Sequence, residues 1–169
     1  MAKLSRAQRE RARKRAADAA LLGYRNRGRV HYTQGSARWS GISGRRNSRQ
    51  GEYPYNADCS SYVTWALWNA LYLPHKKRDV VNGAAWKAGF TGTQIRHGRK
   101  VRAGELLPGD LVFYANSGST PTHVAIVVGR RGNKPMVVSH GSESGPLFVP
   151  YDYRRRTPGG YRRYIHDGV

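Results

Sequence analysis

At 169 residues the chain is long enough for one domain with a core of its own, and it needs neither a disulfide framework, which its single cysteine excludes, nor a structural metal. No stretch has the length and apolarity of a membrane span or a secretory leader, so the reading is a soluble protein without integral membrane association, made in a cytoplasm. Thirty Lys and Arg against ten Asp and Glu give a net charge of +20, which attracts polyanions such as nucleic acid, membrane surfaces or an acidic cell wall without choosing among them.

Ser5-Arg-Ala-Gln8 reads as a capping box, and Ala12, Ala16, Ala19 and Ala20 recur at helical spacing beside Leu21, which predicts a helix over about residues 6 to 23. Its arginines form either a solvated face or a polyanion-binding one. Residues 35 to 51, GSARWSGISGRRNSRQG, are rich in Gly, Ser and Arg without a period and read as a loop. The boundaries that follow are a basic N-terminal helix within residues 1 to 25, this loop at 35 to 51, and a core at 52 to 169, all in one domain spanning 1 to 169.

From Cys59 the pattern changes. Val63, Ala66, Leu67, Ala70 and Leu71 fall on one helical stripe, with Asp58, Cys59 and Ser60 in the cap region and Pro74 as the stop. Asp79 to Ala88 reads as a short helix. Strands follow at Leu111 to Tyr114, at 122 to 129 and at 135 to 140, the last two joined through Gly132-Asn133 as a hairpin tip, and a final strand is expected near Tyr161 to Ile165, where alternating arginines suit an exposed edge as well as a disordered tail. Helices first and antiparallel strands afterwards make an α+β domain, its sheet packed on the helix that begins at Cys59.

A thiol at a helix start faces unpaired N–H groups and the positive end of the helix dipole, which favour a thiolate and offer donors to a developing oxyanion. A base is still needed. His123 opens one strand and His140 closes the next, so the open end of their hairpin carries both histidines. A lone cysteine is nonetheless more often a small buried residue than a nucleophile, and either histidine could have a purely structural task. His31, His75, His97 and His166 read as surface residues. A zinc site of Cys59, His123 and His140 is conceivable, although no CxxC or HExxH motif supports one.

The stretch DCSSYVTWAL, then LLPGDLVFY, then THVAIVVG resembles, in order and spacing, the NlpC-type cell-wall cysteine endopeptidases, papain-like enzymes that cleave the peptide stems of bacterial peptidoglycan. The resemblance implies a papain-like fold with the nucleophile helix on an antiparallel sheet of four to six strands. It makes Cys59 the nucleophile, His123 the general base and acid, and His140 the orienting third member. Tyr32-Thr-Gln-Gly35 is similar to the family's Tyr-x-x-Gly segment, which gives Tyr32 a hydrogen bond to substrate or oxyanion, and Asp58 and Ser60 would hold the substrate stem. Asp58 reads equally as a helix cap, and Asp110, in the Pro-Gly-Asp-Leu turn, as a structural residue. Ser61 stands where the family usually has Gly, and residues 130 to 134 and 139 to 146 differ from its short return.

What the resemblance implies is acyl transfer on peptidoglycan without a cofactor; the charge adds anionic wall polymers as partners, no metal motif is present, and a monomer is expected. The CHAP amidases pair an early Cys with a later His-Val strand in the same way, so the scissile bond stays open. Charge and the lack of a leader point to a phage lysin, made in the host cytoplasm and released to the wall; a virion tail peptidase or a secreted bacterial wall hydrolase is the alternative. From another class comes a basic nucleic-acid-binding protein, with eighteen aromatic residues for base stacking, but its arginines are scattered rather than gathered in a motif, and no specific nucleic acid is expected.

Overall fold

The computed structural model describes residues 3–43, 47–75, 81–83 and 89–169. Helix α1 (Arg6–Arg25) starts at the expected capping box, with Ser5 Oγ accepting the Gln8 N–H at 3.2 Å and Gln8 Oε1 accepting the Ser5 N–H at 2.7 Å. Its alanine stripe is buried against the helix that Cys59 begins. The contact is close enough that a Cβ on Gly23 would collide with the Tyr62 ring, whose hydroxyl donates to the Ala20 carbonyl at 2.6 Å.

After α1 the chain forms strand β1 (His31–Tyr32), a short helix α2 (Ala37–Ser40), a 3-10 turn at Ser48–Gln50 and strand β2 (Asn56–Ala57), which pairs in parallel with β1. The segment expected to be one irregular loop is therefore partly helical. Ile42 within it is fully buried, and Gly41 lies so near the backbone of Asn56 that no side chain fits there. Helix α3 (Cys59–His75) then crosses the core and runs one residue past Pro74, which does not stop it earlier. Of the helix expected over Asp79 to Ala88, residues 79–80 and 84–88 lie outside the described residues, and 81–83 form a turn. A short helix α4 (Thr91–Gln94) comes next.

Six strands complete the domain: β3 (Arg99–Val101), β4 (Leu111–Tyr114), β5 (His123–Arg131), β6 (Lys134–Ser139), β7 (Leu147–Pro150) and β8 (Tyr161–Arg163). They form one antiparallel sheet in the order β3-β8-β4-β5-β6-β7, so the fold is α+β. Strand alternation sends Leu111, Phe113, Val124, Ile126 and Val138 to the face that packs with residues of α1 and α3. Val112, Tyr114, Ala125, Val127 and Val137 line the other face, closed by Leu106, Tyr151, Tyr153 and Tyr161. The β5–β6 hairpin turns at Gly132-Asn133 and carries a register shift between Val127 and Gly129.

The last strand is not an edge. β8 lies between β3 and β4, and its arginines are internal bonding residues: Arg162 donates to the carbonyls of Ile95 and Gly159, while Arg163 grips the buried carboxylate of Asp110 at 2.7 and 2.9 Å. Asp110 also accepts the Leu107 N–H at 2.8 Å, which gives the Pro-Gly-Asp-Leu turn its structural anchor.

Candidate active site

Asp58 is the cap of α3. One carboxylate oxygen accepts the Ser61 N–H at 2.7 Å, and the Ser61 hydroxyl accepts the Asp58 N–H at 3.0 Å. The same oxygen takes the Ser60 hydroxyl at 2.9 Å, and the other is paired with Arg38 at 2.8 Å. Arg38 comes from α2, so the expected loop holds the residue that neutralises the cap. Asp58 and Ser60, expected to hold a substrate, are both buried and turned toward each other.

Cys59 follows as the first residue of α3, 6 % exposed. Its sulfur meets the Thr91 hydroxyl at 3.9 Å and the backbone N–H groups of Ser60 and Val124, all of which favour the thiolate. Burial is the larger effect and pushes the thiol up to about 11, with the Asp58 charge acting in the same direction. The thiolate expected from the helix start is thus outweighed by desolvation, and the resting sulfur is a thiol.

The contact with Val124 puts the sulfur beside the first peptide of β5, next to His123. That imidazole is buried on the sheet face away from α3. It stacks at 5.8 Å on Tyr114, and its Nε2 lies 2.7 Å from Ser139 Oγ and 3.3 Å from the Tyr153 hydroxyl. Ser139 and Tyr153 are themselves 2.7 Å apart, and Arg154 Nε donates to the Tyr153 oxygen at 3.0 Å. Burial, then the positive charge of Arg154, hold His123 down to about 3, so it rests as the neutral imidazole that can accept a proton.

His140 occupies a different place from the one its spacing implied. It sits on the α3 side of the sheet between the rings of Tyr32, at 5.4 Å, and Tyr62, at 5.5 Å, with Nε2 3.3 Å from the His31 carbonyl. It shares no hydrogen bond with His123; the bond at His123 Nε2 is made by Ser139. The cause is the register shift in the hairpin. Without it Ala125 would pair with His140, and His140 would share the face of His123; with it the pairing Ile126 to Val138 brings Ser139 there instead. Tyr32 is half-buried at the rim, its hydroxyl accepting from Gln34 at 3.0 Å, and it feels the charges of Cys59, Asp58 and Arg154.

Cys59, His123, Tyr32 and Asp58 are therefore gathered at one end of the sheet, with Ser60 beneath them and His140 behind. Ser139, Tyr153, Arg154, Thr91 and Arg38 were not found from the sequence. Only Ser139 had a signal there, as the neighbour of His140 at a strand end. Among the described residues no group of three His, Cys, Asp or Glu is arranged to hold a metal ion.

The model of the NlpC/P60 family matches residues 38–146, which span α2 to the segment before β7 and include Cys59, His123 and Ser139. The chain belongs to the NlpC/P60 family. This family comprises cysteine peptidases that act as peptidoglycan hydrolases. Among solved NlpC/P60-like structures, a hypothetical invasion protein of Mycobacterium tuberculosis is similar at TM-score 0.60 and 18% identity over 96% of this chain and 66% of that one. The P60 domain of an antigen from M. avium subspecies paratuberculosis gives TM-score 0.55 and 18% identity over 91% and 98%. NlpC1 from Trichomonas vaginalis gives TM-score 0.55 and 18% identity over 90% of this chain and 44% of that one. At such identities the likeness is one of fold. The chain spans less than two thirds of the Mycobacterium tuberculosis and Trichomonas proteins. No match is found among curated proteins.

Proposed function

We propose that the protein is a cysteine peptidase that cleaves an amide bond in the peptide stems of bacterial peptidoglycan through an acyl-enzyme. One observation carries the reading: the only thiol of the chain stands at the start of α3 against the Val124 N–H, at the mouth of the strand that His123 opens. His123, neutral at rest, takes the thiol proton as Cys59 attacks the carbonyl, and later protonates the leaving amine; water then releases the acyl group. Proton transfer accompanies attack, because burial disfavours a preformed thiolate. The N–H of Cys59, one of the donors every helix start leaves outside its own ladder, and the Tyr32 hydroxyl serve the oxyanion.

Ser139 takes the role of third member, holding the His123 ring through Nε2, while His140 fixes β1 and Tyr32 to the sheet. Asp58 acts through α3 and Arg38 and not as a direct ligand. The charge of +20 supports retention on an anionic wall, and with it an endolysin-like use of the enzyme. The reading is tested by incubating purified peptidoglycan with the protein and with Cys59→Ala and identifying the fragments by mass. New peptide termini with the intact protein, and none with the variant, are expected. Equal products from both would overturn it, and loss of wall binding at high salt without any hydrolysis would favour a polyanion-binding protein instead.

A further inference from the structure

Arg154 follows β7 and lies against the group at His123. Its Nε is taken by the Tyr153 hydroxyl at 3.0 Å, its Nη1 reaches Asn116 Oδ1 at 3.4 Å, and its guanidinium stands 5.5 Å from the centre of the Tyr153 ring. These contacts engage Nε and Nη1 and leave Nη2 without a hydrogen bond among the described residues. Among the described residues no carboxylate lies within ion-pair distance of Arg154, whereas Arg38 and Arg163 are each paired with a buried one.

The free end has a direction. A Cβ added at Gly141 would lie 3.6 Å from Arg154 Nη2 and 3.1 Å from His123 Cε1, so the guanidinium and the imidazole flank one small space that is open because residue 141 has no side chain. Gly141 is exposed, which opens that space to solvent and to a ligand. The Arg154 charge is felt at Tyr32 as well, together with the charges of Cys59 and Asp58. A fixed cation beside an imidazole that must itself become positive opposes the reaction, unless a negative group arrives with the substrate. A planar fork with a free edge is suited to a carboxylate.

We propose that Arg154 is a specificity-determining residue that binds a free carboxylate on the substrate residue beside the scissile amide. The inference rests on the peptidase reading of the site and names what that site selects: stems bearing an unmodified carboxylate next to the bond cut, over stems in which that carboxylate is amidated. Binding the carboxylate also offsets the guanidinium charge at His123 when the imidazole takes up its proton.

The test uses the tetrapeptide L-Ala-γ-D-Glu-diaminopimelate-D-Ala and two forms of it, one with the glutamate α-carboxylate and one with the side-chain diaminopimelate carboxylate converted to the carboxamide. Affinities are measured by calorimetry on Cys59→Ala protein, which cannot turn the peptides over, and on Cys59→Ala carrying Arg154→Gln or Arg154→Lys. One amidation is expected to weaken binding about tenfold or more when Arg154 is present, from loss of a charge-assisted hydrogen-bond pair. It should have no effect with Arg154→Gln, and a reduced one with Arg154→Lys. Equal affinity for acid and amide forms, a preference that survives Arg154→Gln, or no binding of any of the three peptides would overturn the proposal. Arg154→Gln must still bind the amidated peptide about as well as the protein with Arg154 does, which shows that the variant is folded. Cleavage of whole peptidoglycan by the unaltered protein reports separately on the peptidase reading, so an active enzyme indifferent to amidation refutes the role of Arg154 alone.

Discussion

The hydroxyl of Ser139 lies 2.7 Å from Nε2 of His123, and the Tyr153 phenol closes the triangle at 2.7 Å from Ser139 and 3.3 Å from the imidazole. No carboxylate takes part. An imidazole held by neutral hydroxyls is oriented without being given a counter-charge, so its protonated form must find stabilisation elsewhere.

Ser139→Ala is expected to lower kcat on the order of 10- to 100-fold through a loosened imidazole, with a smaller effect on KM. Ser139→Thr, which keeps the hydroxyl, should recover most of the loss. Steady-state kinetics on a soluble stem peptide decide it; an unchanged kcat for Ser139→Ala would remove the residue from the mechanism.

Stability should fall on both sides of neutrality, for opposite reasons. Folding holds His123 from 6.5 down to about 3, so between those values the unfolded chain binds a proton that the folded one does not, and stability drops as pH falls at up to about 1.4 kcal/mol per pH unit. Burial raises Cys59 from 9.0 to about 11, so over that window the unfolded chain loses its proton first and stability drops as pH rises. Urea titrations across pH should show the alkaline slope reduced in Cys59→Ala and the acid slope reduced in His123→Gln. Activity, for its part, should show no loss with a midpoint near 6.5.

Removing the carboxylate of Asp110 leaves Arg163 half-enclosed without its partner. Asp110→Ala is expected to cost about 3 kcal/mol, the usual penalty for breaking a buried pair from one side. The midpoint of urea unfolding measures it, and an effect below about 1 kcal/mol would mean that Arg163 finds another acceptor.

Gly23→Ala tests the closeness of α1 to α3. Helix propensity alone favours alanine, but its methyl would occupy the place of the Tyr62 hydroxyl. Overpacking should win, with a loss of about 1–3 kcal/mol in thermal or urea unfolding. The double variant with Tyr62→Phe should recover part of it, because the ring then no longer carries the oxygen that obstructs the methyl.

Much of this fold is legible in the residues. The alanine stripe of α1, the capping box at Ser5, the stripe that begins at Val63 and the β-branched run from Val124 each bury the face their period prescribes. The two-residue turn at Gly132-Asn133 is legible as well. What escapes is the one-residue shift between Val127 and Gly129, because no side chain announces it, and it decides which of two adjacent residues faces His123. Strands β3 and β7 escape because they are short: β3 has three residues, two of them basic, and β7 has four and ends at Pro150. The arginines of β8 suit an exposed edge or a disordered tail equally well by pattern, whereas Arg162 and Arg163 bond inward to carbonyls and to Asp110. Arg154 has no pattern of its own; only the folded chain brings it to His123.

The place of β8 governs the order of assembly. β4 to β7 form a meander from neighbours in sequence, which closes through short loops. β3 has no partner in the sheet until β8 arrives, and β4 keeps a bare edge until then, so a chain interrupted before Tyr161 would present unpaired backbone to its neighbours. The hairpin that carries His123 can thus form early, while the sheet that supports it is sealed only when a strand from late in the chain slides between two older ones.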